Sequence, residues 1–144
     1  MKTKGDRYCI IEEGGGAITV KFSVDKNIMA GADFQLVESK KNLTKDHWKM
    51  SATDGETVSK RLMEEPVDLH LNLLNWEALA CSKAPSASNG IITVNLYQGG
   101  KLLSLTIPAE YDLDYIPPCK LSQTADFSGD LTFILKKKPE APKF

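Results

Sequence analysis

Three carboxylates, Glu110, Asp112 and Asp114, occupy alternate positions in the run Glu-Tyr-Asp-Leu-Asp-Tyr. Alternate residues of an extended chain share a side, so the acids face one way while Tyr111, Leu113 and Tyr115 face the other. Calcium takes several oxygen ligands, and a segment of this composition can supply them, although the spacing and glycine of an EF-hand are missing. The same pattern also describes a solvated strand edge whose tyrosines pack inward. Asp68, His70 and Asn72 form a comparable stripe, read either as a metal site or as a surface hydrogen bond beside a lone histidine.

Aromatic residues suggest a second kind of chemistry. Exposed rings are stacking platforms for sugars, and Trp48, Tyr111 and Tyr115 are the candidates here, with Trp76 and Tyr97 in the same inventory. Aromatics are equally the usual occupants of cores and interfaces. Tyr97 is the most informative, because with Leu102 it falls on the polar face of a hairpin. If that face is open, the two begin a contact patch. If a second sheet or helix covers it, which is the favoured expectation, both belong to the core.

Catalytic signatures are missing. The chain has no Gly-x-Ser-x-Gly elbow, no His-Glu-x-x-His and no dinucleotide fingerprint. His47 and His70 are its two histidines. Gly14-Gly15-Gly16 could suggest a phosphate loop, but no Gly-Lys-Ser/Thr follows, and the next residues read as a strand where a phosphate cradle needs a helix N-terminus. An enzyme would need carboxylates paired across a cleft, for which no fixed spacing exists. The reading is therefore not an enzyme.

At 144 residues the chain fits one domain able to bury a core without staples. A net charge of −1 provides no field for nucleic acid or an anionic membrane. No apolar run reaches the ~20 residues of a membrane span, and the opening residues lack a signal-peptide core. The chain reads as cytoplasmic unless an export signal has been removed. Cys9, Cys81 and Cys119 are odd in number and far apart, so they are expected to be buried free thiols in a reducing compartment. Asn42-Leu43-Thr44 matches a glycosylation sequon, which has meaning only in a secreted eukaryotic protein.

Positioning these residues requires strands. Ile91 to Gln98 and Lys101 to Ile107 alternate around Gly99-Gly100, the pair favoured in a two-residue hairpin turn. With Gln98 opposite Lys101, Leu96 faces Leu103, Val94 faces Leu105 and Ile92 faces Ile107. A first hairpin, Tyr8–Glu13 with Ala17–Val24, is expected around the glycine triplet, with Tyr8 opposite Phe22 and Ile10 opposite Val20. Ala32–Glu38 and His47–Ala52 read as strands, with a solvated loop over 39–46. Thr57–Glu65 allows a turn or two of helix before Pro66. Val67–Leu73 alternates as a half-buried strand, and the phase break at Leu73-Leu74 implies a bulge or a short helix over Trp76–Cys81. Asp130–Lys136 is the last strand, and 137–144 reads as a flexible tail.

The stretch Asn27–Asp54 resembles the opening of the prealbumin-like repeat domains of surface adhesins. The likeness rests on Ala30-Gly31-Ala32-Asp33-Phe34-Gln35-Leu36 and on the Thr53-Asp54-Gly55 turn. It covers under a third of the chain. Ser23 stands where many of those domains carry an isopeptide lysine, and Leu131–Leu135 offers no asparagine to receive one. The resemblance implies a shared strand-and-turn pattern, not membership.

Short strands at even spacing with little helix indicate an antiparallel β-sandwich of about seven or eight strands, a single domain over 1–136. The functional expectation is a non-catalytic binding module acting on another protein or on a second copy of itself, with no cofactor. The alternative is a lectin-like carbohydrate-binding sandwich using Trp48, Tyr111 and Tyr115, assisted by calcium at Glu110, Asp112 and Asp114.

Overall fold

In the computed structural model, which describes residues 6–137, two mainly antiparallel sheets enclose one core. In chain order the strands are β1 (Tyr8–Glu12), β2 (Ile18–Val24), β3 (Ile28–Glu38), β4 (Leu43–Thr53) and β5 (Thr57–Arg61), followed by the short helix α1 (Pro66–Leu69). Then come β6 (Asn72–Ser82), β7 (Ser88–Gln98), β8 (Lys101–Leu102), β9 (Ala109–Ile116) and, after a 3-10 turn at Cys119–Leu121, β10 (Ala125–Lys136). One sheet runs β1-β10-β6-β3-β4; in the other, β5-β2-β7 is completed by β8 and β9, both pairing with β7. The architecture is the expected sandwich. Residues 1–5 and 138–144 lie outside the described residues, including nearly all of the expected tail.

Alternation builds the core. In β2 every second residue, Ile18, Val20, Phe22 and Val24, is buried, and in β6 the buried set includes Leu74, Trp76, Ala78 and Ala80. Phe22 meets Phe34 edge-on at 6.2 Å, linking the sheets. Each such side chain contributes about 1.5–3 kcal/mol of burial free energy.

The first hairpin does not form. β1 pairs in parallel with β10, while β2 joins the other sheet. Both parities of β1 are apolar, and the structure buries Cys9 and Ile11, leaving Tyr8 and Ile10 exposed. The glycine triplet serves as a crossing between sheets, with Gly14 and Gly16 at positive φ. Gln98, almost fully buried, joins them by accepting from the Glu12 N–H at 2.9 Å and donating to the Glu12 carbonyl at 2.7 Å.

The central hairpin forms only at its tip. Gly99 and Gly100 have φ of 55° and 84°, and Tyr97 faces Leu102 and Gln98 faces Lys101 as expected. Beyond Leu103, whose N–H reaches the Leu96 carbonyl, the chain leaves β7 and Leu105 bridges to Cys9. β9 takes the vacated edge, so Val94 faces Ala109 and Ile92 faces Tyr111. The partly open edge of β1 competes for Leu105, which local turn chemistry does not reveal.

Further differences lie around Pro66. Thr57–Arg61 is a strand, and the expected Val67–Leu73 strand is the α1 turn followed by Leu71 at φ 64°. With β6 beginning at Asn72, the phase break disappears and Trp76–Cys81 needs neither bulge nor helix. β4 begins at Leu43, inside the expected loop. Cys81 and Cys119 form a disulfide, correcting the free-thiol expectation for both, while Cys9 is a buried free thiol as expected. The bond ties β6 to the 3-10 turn after β9, where the Ser82 N–H also donates to the Pro117 carbonyl at 2.7 Å.

Candidate functional site

The outer face of the β1-β10-β6-β3-β4 sheet carries a row of charge. Register places Lys49, Asp33, Glu77 and Ser128 side by side on β4, β3, β6 and β10. Asp33 and Glu77 are therefore directly opposite on neighbouring strands, an arrangement of like charges that destabilises a sheet. Asp126 and Asp130 lie diagonally from Glu77 on β10, which deepens the negative potential. His47 Nε2 lies 3.8 Å and Lys49 Nζ 4.0 Å from the Asp33 carboxylate.

Beside this row the surface is apolar and grooved. Gly31 faces Leu79, and Met29 lies in the neighbouring row with Cys81. Met29 is 42% and Leu79 53% exposed. Three clefts of about 440, 200 and 410 Å³ meet at Leu79, running from Asp126 and Ser128 past Asp33 and Gly31 to Met29 and Thr124. Gly31 holds the floor at backbone level. A Cβ there would meet nothing closer than the Met50 carbonyl at 3.8 Å, so packing does not require the glycine.

The sequence-derived aromatics separate. Trp48 is half-buried on the inner side of β4, stacked on Phe34 at 5.4 Å and with Lys60 Nζ 5.6 Å from its ring centroid. Tyr111 faces inward, its hydroxyl accepting from Trp76 Nε1 at 2.9 Å and its ring 4.7 Å from Phe127. Burial holds that hydroxyl above its ordinary pKa, against the lowering effect of the Trp76 hydrogen bond. Gly129 makes room for the pair, since a Cβ there would collide with the Tyr111 hydroxyl and the Trp76 ring. Tyr115 is 62% exposed, because an extra residue in β9 opposite Ser88–Gly90 turns Ile116 inward in its place. The three rings thus share no platform.

Glu110, Asp112 and Asp114 are all exposed on β9. Same-side strand residues are about 7 Å apart, and among the described residues no group of three or more His, Cys, Asp or Glu gathers to hold a metal. The Asp68–His70–Asn72 stripe is broken by α1; His70 Nδ1 instead accepts the Leu135 N–H at 3.0 Å. Tyr97 and Leu102 stand opposite each other on a face that no described element covers, correcting the favoured expectation of a cover. Lys21 Nζ sits 4.4 Å over the Tyr97 ring, and Leu102 is 60% exposed. Their neighbours Thr19, Asn95 and Thr93 are polar, so the patch stays small.

Asp33, Glu77 and Asp126 escaped the sequence reading because their meeting depends on strand order. A faint signal existed in Trp76-Glu77-Ala78, an acid at the polar parity between buried residues. No helix of the described residues is long and apolar enough to cross a membrane. Comparison with protein-family models, with curated proteins and with solved structures finds no match for the chain.

Proposed function

We propose that this chain is a non-catalytic binding domain that takes a basic protein segment with an apolar anchor on the outer face of its β1-β10-β6-β3-β4 sheet. The observation that carries the reading is the opposition of Asp33 and Glu77 in mid-sheet, a local cost that a cationic partner would offset. The adjoining Met29–Leu79 groove offers the anchor its place. Asp33 and Glu77 stand side by side on neighbouring strands of an exposed face, an arrangement that suits recognition of a cation. The Cys81–Cys119 bond supports an oxidising compartment over the cytoplasm.

The test compares pull-downs by the wild type, by Asp33→Asn/Glu77→Gln and by Gly31→Val, which adds a side chain at the groove floor where a Cβ meets nothing closer than 3.8 Å. The reading expects a basic protein retained by the wild type, released by moderate salt and lost by both variants. A partner that both variants retain refutes it.

A further inference from the structure

At one end of the sandwich, where the β3–β4 turn, α1 and the start of β6 meet, lies a separate cleft of about 540 Å³. Several local irregularities converge on it. Leu71 holds a φ of 64°, a strained conformation for a bulky residue. Glu64, which lines the cleft, has one carboxylate oxygen (Oε1) buried with no hydrogen-bond partner. The Asp68 carbonyl accepts from both Lys45 Nζ at 2.9 Å and Asn72 Nδ2 at 3.0 Å, and Asn72 is only 3% exposed. Because His70 Nδ1 accepts the Leu135 N–H, the ring carries its proton on Nε2 and keeps that N–H as a donor.

The lining chemistry narrows the ligand. Glu38, Glu64 and Asp68 are set against Lys40 and Lys45, so no single sign of charge dominates. That balance disfavours phosphate, which wants clustered cations, and no metal-holding group exists among the described residues. Leu71 is the one apolar residue of the lining, so the floor for an apolar ligand is missing. The mixed lining suits a ligand dense in both donors and acceptors. We propose that this cleft binds a neutral saccharide, whose hydroxyls donate to Glu64 and Asp68 and accept from His70 Nε2–H and the lysines. The Glu64 carboxylate, which lines the cleft, is then kept for binding. The site is distinct from the sheet face proposed above, and the Trp48, Tyr111 and Tyr115 set plays no part in it.

The experiment is a heteronuclear NMR titration of the whole chain with glucose, galactose, mannose and N-acetylglucosamine. Affinity in the millimolar range, about −4 kcal/mol, is the scale expected of one sugar unit. At least one sugar is expected to give saturable shifts at the amides of Lys40, Lys45, His70 and Leu71. Glu64→Gln is expected to weaken that binding tenfold or more, while its spectrum shows the fold retained. Lack of saturable shifts with all four sugars overturns the proposal, as do shifts centred on Tyr97 or Tyr115. Unchanged affinity in Glu64→Gln, or preference for inorganic phosphate or lysine methyl ester as probes, also overturns it.

Discussion

Breaking the Cys81–Cys119 bond isolates one contribution to stability that the loop length lets us estimate. The two residues are 38 apart in sequence. Closing a loop of that size in the unfolded chain is worth about 4 kcal/mol in the chain-entropy treatment, between the values for shorter and longer loops. For a domain stabilised by roughly 5–15 kcal/mol this is a large share. At about 3 °C per kcal/mol, the midpoint of thermal unfolding should fall by on the order of 10 °C. The assay is urea and thermal unfolding of the wild type, oxidised and reduced, beside Cys81→Ser/Cys119→Ser. Thiol counting supplies the control, since unfolded but unreduced protein should expose Cys9 alone. Three titratable thiols in that sample, or unfolding midpoints indifferent to reductant, would refute the reasoning.

Gln98→Ala leaves the N–H and carbonyl of Glu12 without their side-chain partner, so urea unfolding should report a loss of about 2–3 kcal/mol. The Cys9 thiol, pushed up to about 12 by burial from a reference of 9.0, stays protonated in the fold while the unfolded chain ionises. Its contribution to stability is therefore complete below pH 9 and lost as pH rises from 9 towards 12, a slope that Cys9→Ala should reduce in unfolding measured across that range. The exposed edge of β4 has its His47 and Thr53 N–H groups occupied by the Asp46 and Glu56 carboxylates, both at 2.8 Å. Asp46→Ala/Glu56→Ala should free them for edge-to-edge pairing, seen as new self-association in sedimentation velocity; a monomeric variant would contradict the role assigned to these acids.

Sandwich class and most strand positions were legible because period-2 burial is written into each strand, as in Ile18–Val24 and Ile92–Gln98. The turn at Gly99-Gly100 was legible for the same local reason, through its positive φ. Pairing was not. Which edge Leu105 joins, and whether β1 returns beside β2 or crosses to β10, depends on competition among edges that no window of sequence contains. Pro66–Leu71 misled because alternating leucines also satisfy a helical turn followed by a left-handed residue. The disulfide was hidden by distance in sequence. The Asp33–Glu77 opposition required the β3–β6 register, and only Tyr97 and Leu102 among the expected binding residues came together.

The most direct measurement is a fluorescence-anisotropy titration of a labelled Lys-Leu-Lys-Leu-Lys peptide into the wild type and into Asp33→Asn/Glu77→Gln, at low and moderate salt. Binding at least tenfold tighter to the wild type, weakening with salt, is the predicted result, and the double variant should be more stable by up to about 1 kcal/mol once the like charges are gone. Equal binding to both proteins, or a double variant less stable than the wild type, would contradict the claim that this face holds opposed carboxylates for a basic partner.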